Sequence, residues 1–231
     1  MIKVAVVILL VAMIAALSFF LVRRNAGVTE RGQGKLAYDD PSNVLFSMPT
    51  ICDLAPQVEA NQQPNSSDFI LHEDNWRQIE FVPRQNFATL TNLVAEVRDF
   101  EKANREKYGW KNTFVRKEYA TPIESLSLSF QGLLQSFGPE IESVALFLTS
   151  GNFPTKVRDG FSLRIKGLGT IYGQCHADRI LELAFEYDKA NPTDRIGLSK
   201  LYGYCDQNHL VMVDWYRREI VSLAANAPPE K

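Results

Sequence analysis

The chain of 231 residues has little of three things that many functions require: cysteine, histidine and an excess of charge of one sign. It holds three cysteines and three histidines, and 25 basic side chains stand against 27 acidic ones, for a net charge of −2. A near-neutral chain lacks the basic surface that nucleic-acid binding needs, so we expect no nucleic-acid partner. With 45% hydrophobic and 23% charged residues, the composition is typical of a globular protein and not of a disordered one.

The sequence also lacks the short motifs of the common enzyme classes. It has no glycine-rich phosphate loop, no Gly-x-Ser-x-Gly elbow, no His-Glu-x-x-His helix and no dinucleotide fingerprint. Gly167 and Gly169 have the spacing of the first two glycines of such a fingerprint, but the third glycine is missing. We therefore expect no cofactor and no metal, and the missing chemistry favours a binding or adaptor protein over an enzyme.

The longest apolar run lies at the amino terminus. Residues 4–22 carry no charge, and Arg23 and Arg24 follow them directly. A bilayer core about 30 Å thick needs roughly 20 helical residues, so this run is long enough to span it. A cleavable signal has an apolar core of only about 7–15 residues. We interpret residues 1–24 as an uncleaved single-pass anchor, with a cleaved signal peptide as the alternative.

The basic residues near this run bear on which side of the membrane the rest of the chain occupies. Lys3 precedes the run, whereas Arg23, Arg24, Arg31 and Lys35 follow it. Because basic residues favour the cytoplasmic side, this distribution slightly favours a cytoplasmic domain. A single lysine before a long apolar run also suits an export anchor, so the sequence leaves the side open.

Turn-forming residues follow the anchor, and periodic segments begin only after them. Residues 25–68 are rich in glycine, asparagine, aspartate and serine, which predicts a tether. Residues 44–55 are more apolar and are expected to dock on the domain as a strap, with Cys52 as a small buried side chain. We expect one folded domain over residues 69–225 and a short tail at residues 226–231.

Two amphipathic helices are predicted in the first half of this domain. Apolar side chains in residues 87–100 recur at steps of three and one, and Gly109 supplies a stop. A second helix is expected over residues 122–137, because Thr121 and Glu124 flank a proline in the arrangement of a capping box.

Later segments show the alternation of half-buried strands. Residues 161–166, 181–187 and 211–215 alternate apolar with polar side chains, and residues 76–82 form an earlier strand that a proline ends. Helices followed by an antiparallel meander predict an α+β domain, with two helices packed on a mainly antiparallel sheet.

Two related stretches lie thirty residues apart. GLGTIYGQC occupies residues 167–175 and GLSKLYGYC occupies residues 197–205, and each leads through a polar loop toward a strand-like segment. We therefore predict that a strand, a cysteine-led turn and a second strand are built twice in succession.

These turns would bring together two thiols and two imidazoles, from Cys175, His176, Cys205 and His209. Zinc and cysteine nucleophiles both use such groups, so the alternative function is a small cysteine hydrolase or metal-dependent enzyme. Adjacent residues of a strand point to opposite faces, which favours structural cysteines instead. In an oxidising compartment we expect a disulfide between Cys175 and Cys205, with Cys52 free. Convergence of the four side chains in a cleft would favour the enzyme.

The densest polar cluster is LHEDNWRQ, residues 71–78. Glu73, Asp74, Trp76 and Arg77 are predicted to bind a partner, because tryptophan and arginine are enriched at interface hot spots. The alternative is that Trp76 belongs to the core. The sequence as a whole predicts a membrane-anchored binding or adaptor protein with a protein partner. It would be an inhibitor or immunity-type protein, or an accessory subunit of an envelope complex.

Overall fold

The computed structural model of this chain describes residues 45–59, 62–150, 153–188 and 195–221, with the backbone alone for residues 195–197. The predicted anchor, the first part of the predicted tether and the predicted tail lie outside the described residues. Among the residues that are described, no helix is long and apolar enough to cross a membrane.

Three helices and fifteen strands make up the described part of the chain. The helices are α1 (Phe87–Asn104), α2 (Phe130–Phe137) and α3 (Arg195–Gln207). The strands are β1 (Thr50–Cys52), β2 (Val58–Glu59), β3 (Phe69–His72), β4 (Ile79–Pro83), β5 (Arg105–Glu106), β6 (Gly109–Trp110), β7 (Phe114–Arg116), β8 (Ile141–Val144), β9 (Leu146–Thr149), β10 (Pro154–Val157), β11 (Gly160–Ile165), β12 (Gly169–His176), β13 (Arg179–Tyr187), β14 (Leu210–Asp214) and β15 (Glu219–Val221).

A seven-stranded antiparallel sheet forms the centre of the domain, in the order β15-β14-β4-β13-β12-β11-β8. Strand β4 pairs along its whole length with β14 and meets β13 where Glu80 faces Ala184. The strands predicted near residues 161–166, 181–187 and 211–215 are β11, β13 and β14. The prediction of an α+β fold with a mainly antiparallel sheet is confirmed, although the described part has three helices and not two.

One face of this sheet carries the largest apolar cluster. Helices α2 and α3 cover it, because each presents an apolar stripe toward the sheet. Fully buried members from the sheet and the two helices are Ile79, Leu163, Ile171, Phe185, Met212, Leu133 and Leu201. Burying each such side chain contributes about 1.5–3 kcal/mol, so this face provides much of the domain's stability.

Two different elements cover the opposite face. Helix α1 packs on one half, where Leu90 and Val97 contact the cluster that includes Val82. A four-stranded sheet, in the order β2-β10-β9-β3, packs on the other half around Tyr172 and Ala184. Glu80 belongs to this face, since residues two apart on a strand share a face and its cross-strand partner is Ala184. The Glu80 carboxylate therefore lies where helix α1 and the four-stranded sheet meet on this face.

The second of the two related stretches does not form a strand. Residues 197–205 belong to α3, whereas most of the first stretch belongs to β12, so the prediction of a strand–turn–strand unit built twice is wrong. Leu198, Leu201, Tyr202 and Cys205 follow one another at steps of three, one and three, and all four contact the main apolar cluster. This spacing is that of a helix face, and it outweighs the likeness to the earlier segment.

The predicted helix ends and the first predicted strand are also corrected. Helix α1 ends at Asn104, and Gly109 lies in the following β5–β6 hairpin. The expected second helix is divided, because Ser127 adopts a left-handed conformation after a 3-10 turn at Ile123–Leu126. Helix α2 then begins at Phe130, where the hydroxyl of Ser129 accepts a hydrogen bond from Gly132 N at 3.1 Å. The strand predicted at residues 76–82 is β4, which starts three residues later.

The segment before the main sheet contributes two short strands. β1 pairs in parallel with β7, from Thr50 opposite Phe114 to Cys52 opposite Arg116. β2 forms the edge of the four-stranded sheet beside β10. Thr50 is fully buried and contacts Gln78 and Arg116.

Candidate binding cleft around Arg77

Arg77 occupies the turn that leads into β4, and its backbone is held in an unusual conformation. Its φ of 55° lies in the left-handed region, which costs a residue other than glycine about 1–3 kcal/mol. Two buried side chains hold this turn. Tyr172 Oη accepts from Arg77 N at 3.1 Å, and Arg116 Nη2 donates to the Arg77 carbonyl at 2.8 Å. The guanidinium of Arg77 therefore starts from a fixed backbone.

The carboxylate of Glu80 is buried and surrounded by donors. Arg77 Nε donates to Oε2 at 2.7 Å, while Tyr119 Oη and Trp215 Nε1 donate to Oε1 at 2.6 and 2.7 Å. Arg116 Nε lies 3.9 Å from the same Oε1. Burial alone would raise the pKa of Glu80, but the two guanidiniums and the two neutral donors outweigh it and lower the pKa. Glu80 is thus a charged anchor for Arg77.

The strap strand β1 completes this cluster from the outside. Arg116 donates from Nη1 to Thr50 Oγ1 at 3.1 Å and stacks on the Trp215 ring at 4.7 Å. Gln78 Nε2 donates to the Thr50 carbonyl at 2.7 Å. Because both donors are buried, Thr50 supplies acceptors that water does not.

A cleft of about 550 Å³ opens beside this cluster. Its polar lining includes Arg77, Glu118 and Glu182, and its apolar lining includes Phe81 and Leu183. Arg77 Nη1 donates to Glu118 Oε1 at 2.7 Å and lies 3.5 Å from Glu182 Oε1. The two carboxylates therefore share one guanidinium nitrogen at the wall of the cleft.

Glu182 is the least satisfied charged group of the cleft. Burial raises its pKa to about 7, an effect that Arg77 opposes and the nearby carboxylates of Glu118 and Glu80 reinforce. Its Oε2 is buried and has no hydrogen-bond partner. The Trp76 indole N–H, which also lacks a hydrogen-bond partner, faces this carboxyl and acts to lower its pKa. Near neutral pH the Glu182 carboxyl is therefore only partly ionised.

The charge balance of the cleft is acidic. Among the described residues, Arg77 is the one basic residue in the lining and is shared among Glu80, Glu118 and Glu182, while Glu124 also lines the cleft, so the carboxylates outnumber it. Glu118 remains 42% exposed, open to a ligand. An arrangement of this kind favours a cation that donates hydrogen bonds.

A larger cleft of about 670 Å³ lies between β3 and the β8 end of the central sheet. Several of its charges pair with each other or with neighbours: Arg164 with Glu142 at 3.3 Å, and Glu140 with Lys200. Arg164 also donates to the Ser67 carbonyl at 2.9 Å. Because of these pairings, fewer charged groups of this cleft are free to bind a ligand than in the Arg77 cleft.

The four residues predicted to bind a partner lie in different surroundings. Trp76 is 2% exposed, and its ring packs 5.3 Å from that of Tyr172 in the core. Arg77 is buried but lines the cleft. Glu73 is exposed and Asp74 is half-buried, and neither lines the cleft. Of the four, the structure brings only Arg77 to this site, and the role of the group in binding stays a prediction.

The cysteine and histidine residues of the alternative enzyme are not brought together in either cleft. Cys205 is buried in the main apolar cluster, and burial raises its pKa to about 12, which disfavours the thiolate. His176 is exposed, 3.5 Å from Asp159, and His209 is exposed in the turn before β14. Neither cleft is lined by Cys175. The geometric condition that would have favoured the enzyme is not met.

The three cysteines carry free thiols, and Cys52 and Cys175 are half-buried. The disulfide between Cys175 and Cys205 was expected only for an oxidising compartment, and it stays a prediction. Among the described residues, no group of three or more cysteine, histidine, aspartate and glutamate side chains could hold a metal ion.

Sequence reasoning missed most of this site. It did not single out Glu80, Arg116, Glu118, Tyr119 or Glu182. A signal for Glu80 was present, because a lone carboxylate stands among apolar residues in Ile79–Pro83. No spacing rule connects it with Arg116 or Glu182, which the sheet and the strap bring to it from distant parts of the chain.

The chain was compared with known proteins at three levels. No family model, curated protein or solved structure matches it.

Proposed function

We propose that this chain is a membrane-anchored binding protein whose domain captures a basic side chain of a protein partner in the Arg77 cleft. It would act as an inhibitor or immunity-type protein, or as an accessory subunit of an envelope complex. The anchor in this proposal is residues 4–22. The observation that carries the binding role is that Glu118 and Glu182 share Arg77 Nη1 while Glu182 Oε2 has no partner.

The rigidity of the Arg77 turn supports binding. Glu80 fixes the guanidinium from below, and Tyr172 and Arg116 fix the backbone. A ligand therefore meets carboxylates that are already positioned, which reduces the entropy lost on binding.

The lining of the cleft suits the whole of an arginine or lysine side chain. Leu54, which is 54% exposed, and Pro122, which is also exposed, offer apolar surface for the aliphatic stem. Glu118 and Glu182 offer acceptors for the charged end, and a guanidinium can bind two carboxylate oxygens at once. We therefore expect arginine to bind more tightly than lysine.

Binding should depend on the protonation of Glu182. A cation favours the charged form of this carboxyl, whose pKa is about 7 in the empty cleft. Below that pKa the ligand must displace a proton, so affinity should rise by up to about tenfold between pH 6 and pH 8, with most of the gain below pH 7.

A direct test uses two small ligands with blocked termini, N-acetyl-arginine amide and N-acetyl-citrulline amide. Their side chains have nearly the same shape, but only that of arginine is charged. Titration calorimetry or NMR of the full chain in detergent micelles should detect the arginine probe, more strongly at pH 8 than at pH 6. The E118Q/E182Q double variant should lose this binding, and E182Q alone should lose its pH dependence. Equal binding of the citrulline probe would contradict the proposal.

A second test identifies the partner. The full chain serves as bait, and proteins retained by the wild type are quantified beside E118Q/E182Q and beside E73Q/D74N, a matched pair of acidic residues outside the cleft. A partner that is lost with E118Q/E182Q and kept with E73Q/D74N supports the cleft. The reverse pattern would place binding on the exposed acidic turn instead.

A further inference from the structure

The hairpin of β5 and β6 projects the most exposed aromatic side chain of the described residues. Lys107 and Tyr108 form its tip, and Tyr108 is 80% exposed. Lys107 Nζ lies 4.9 Å from the Tyr108 ring centre, and Arg105 Cζ lies 4.4 Å from that of Trp110. Basic groups thus lie over two neighbouring aromatic rings.

The described chain begins on this same hairpin. Phe46 N donates to the Trp110 carbonyl at 2.8 Å, and Trp110 N donates to the Phe46 carbonyl at 3.1 Å. A side chain at Gly109 would meet the Phe46 carbonyl at 2.6 Å, so only glycine permits this approach. Phe46 is itself 44% exposed, which extends the aromatic surface beyond the hairpin.

The connection to the apolar run is short. Residues 23–44, 22 residues (44 − 22), link the end of that run to Leu45. Even a fully extended chain of this length reaches at most about 75 Å, so a domain held by the proposed anchor stays close to the bilayer.

We propose that the tip of this hairpin lies in the headgroup layer of the bilayer, with Tyr108 inserted and Trp110 and Phe46 behind it. This inference rests on the proposed anchor. It gives the domain a preferred orientation, since a second contact point restrains rotation about the tether.

The chemistry of the tip favours lipid over a protein partner. Tyrosine concentrates at membrane interfaces because its ring is apolar and its hydroxyl stays hydrated, and Tyr108 is exposed enough to do both, whereas the indole N–H of Trp110 is buried behind it. The neighbouring charges are balanced locally, Lys111 with Glu106 at 2.9 Å and Arg105 with Glu101 at 3.7 Å. Among the described residues Lys107 has no carboxylate partner, which leaves its ammonium for a lipid phosphate.

The test uses the full chain in vesicles of phosphatidylcholine and phosphatidylglycerol that contain a headgroup spin-labelled lipid. In a W110F background, Y108W places a reporter at the tip, and F153W is the matched control, because Phe153 is 79% exposed on another loop. We expect several-fold stronger quenching and a blue-shifted emission for Y108W, and native Trp110 to be quenched in the wild-type chain.

Each other outcome has a separate meaning. If the chain floats with the vesicles but Y108W and F153W are quenched equally, the hairpin inference fails and the anchor stands. If the chain does not float with the vesicles, both fail. If Y108W is shielded from acrylamide without being quenched by the spin-labelled lipid, a second copy of the chain covers the hairpin and the lipid contact is wrong.

Discussion

Glu80 and Glu182 lie beside the same guanidinium, yet their surroundings shift their pKa values in opposite directions. Arg77 Nε contacts Glu80 at 2.7 Å, and Arg77 Nη1 lies 3.5 Å from Glu182. Glu80 also receives hydrogen bonds from Tyr119 and Trp215 and has a second guanidinium nearby, whereas an oxygen of Glu182 has no partner. The pKa of the first is lowered and that of the second is raised to about 7.

The difference shows how one arginine serves two purposes. Where donors are sufficient, a buried carboxylate stays charged and fixes the structure. Where they are insufficient, the carboxyl retains the capacity to accept a proton or a cation. The same strand pair, β4 and β13, thus carries a structural glutamate and a responsive one.

The largest effect should follow from neutralising the structural glutamate. E80Q leaves Arg77 and Arg116 buried without their shared counter-charge, which typically costs about 3–5 kcal/mol. Urea unfolding of the full chain in detergent micelles, followed by circular dichroism, measures the loss. E182Q at pH 4 is the control, because Glu182 is then protonated in the folded chain and largely protonated in the unfolded chain, so the substitution should be nearly neutral. Equal stability of E80Q and the wild type would show that the buried charge is not needed.

The second effect concerns the pH dependence of stability. The pKa of Glu182 is about 7 in the folded chain and 4.5 for a free side chain, so the folded state binds more protons between these values. The free energy of unfolding should therefore fall as pH rises from 4.5 to 7, by about 3 kcal/mol from this group alone. Subtracting the profile of E182Q, which cannot ionise, isolates the contribution. A difference that is flat across this window would contradict the raised pKa.

A smaller effect is expected for one donor of the Glu80 cluster. Y119F removes the hydroxyl that donates to Glu80 Oε1 at 2.6 Å. Hydrogen bonds to charged groups contribute about 1.5–3 kcal/mol, so we expect a loss of about 2 kcal/mol. The matched control is Y108F, which removes an exposed hydroxyl and should leave the unfolding midpoint unchanged. A similar loss in both variants would argue against the cluster.

The smallest effect is expected for an exposed ion pair. Arg84 Nη2 lies 2.9 Å from Asp206 Oδ1, at about the separation of Arg77 from Glu80, but both side chains are largely exposed. Exposed pairs contribute about 0–1 kcal/mol, so D206N should change the free energy of unfolding by less than about 0.5 kcal/mol. A loss as large as that of E80Q would show that distance, and not burial, decides the strength of these pairs.

Local periodicity correctly predicted the helices and strands that bury a single regular face. Helix α1 and strands β11, β13 and β14 follow their apolar patterns closely, because each buries one continuous stripe or alternate side chains. Helix α3 was missed because a likeness between two segments was given more weight than the steps of three and one among Leu198, Leu201, Tyr202 and Cys205. Those steps were readable in the sequence.

The candidate cleft was less accessible to sequence reasoning. Arg77 was singled out for its residue type, but its distant partners come from β12, from the segment after β7 and from β13, and only the tertiary fold brings them together. Trp76 shows the opposite error, in which the residue type suggested a binding role for a side chain that lies in the core. A tryptophan beside charged residues suits an interface, yet in the structure a turn directs its ring into the core.

The position of β4 in the central sheet has a consequence for how the chain folds during synthesis. Its neighbours are β13 and β14, and the paired residues follow it by 104 positions (184 − 80) and by 133 positions (213 − 80). The middle of the sheet therefore cannot close until almost the whole described chain has left the ribosome. Pairings of such long range make folding slow. An anchor at residues 4–22 would reach the membrane well before the domain folds. The domain would therefore still be unfolded when the orientation of the chain across the membrane is established.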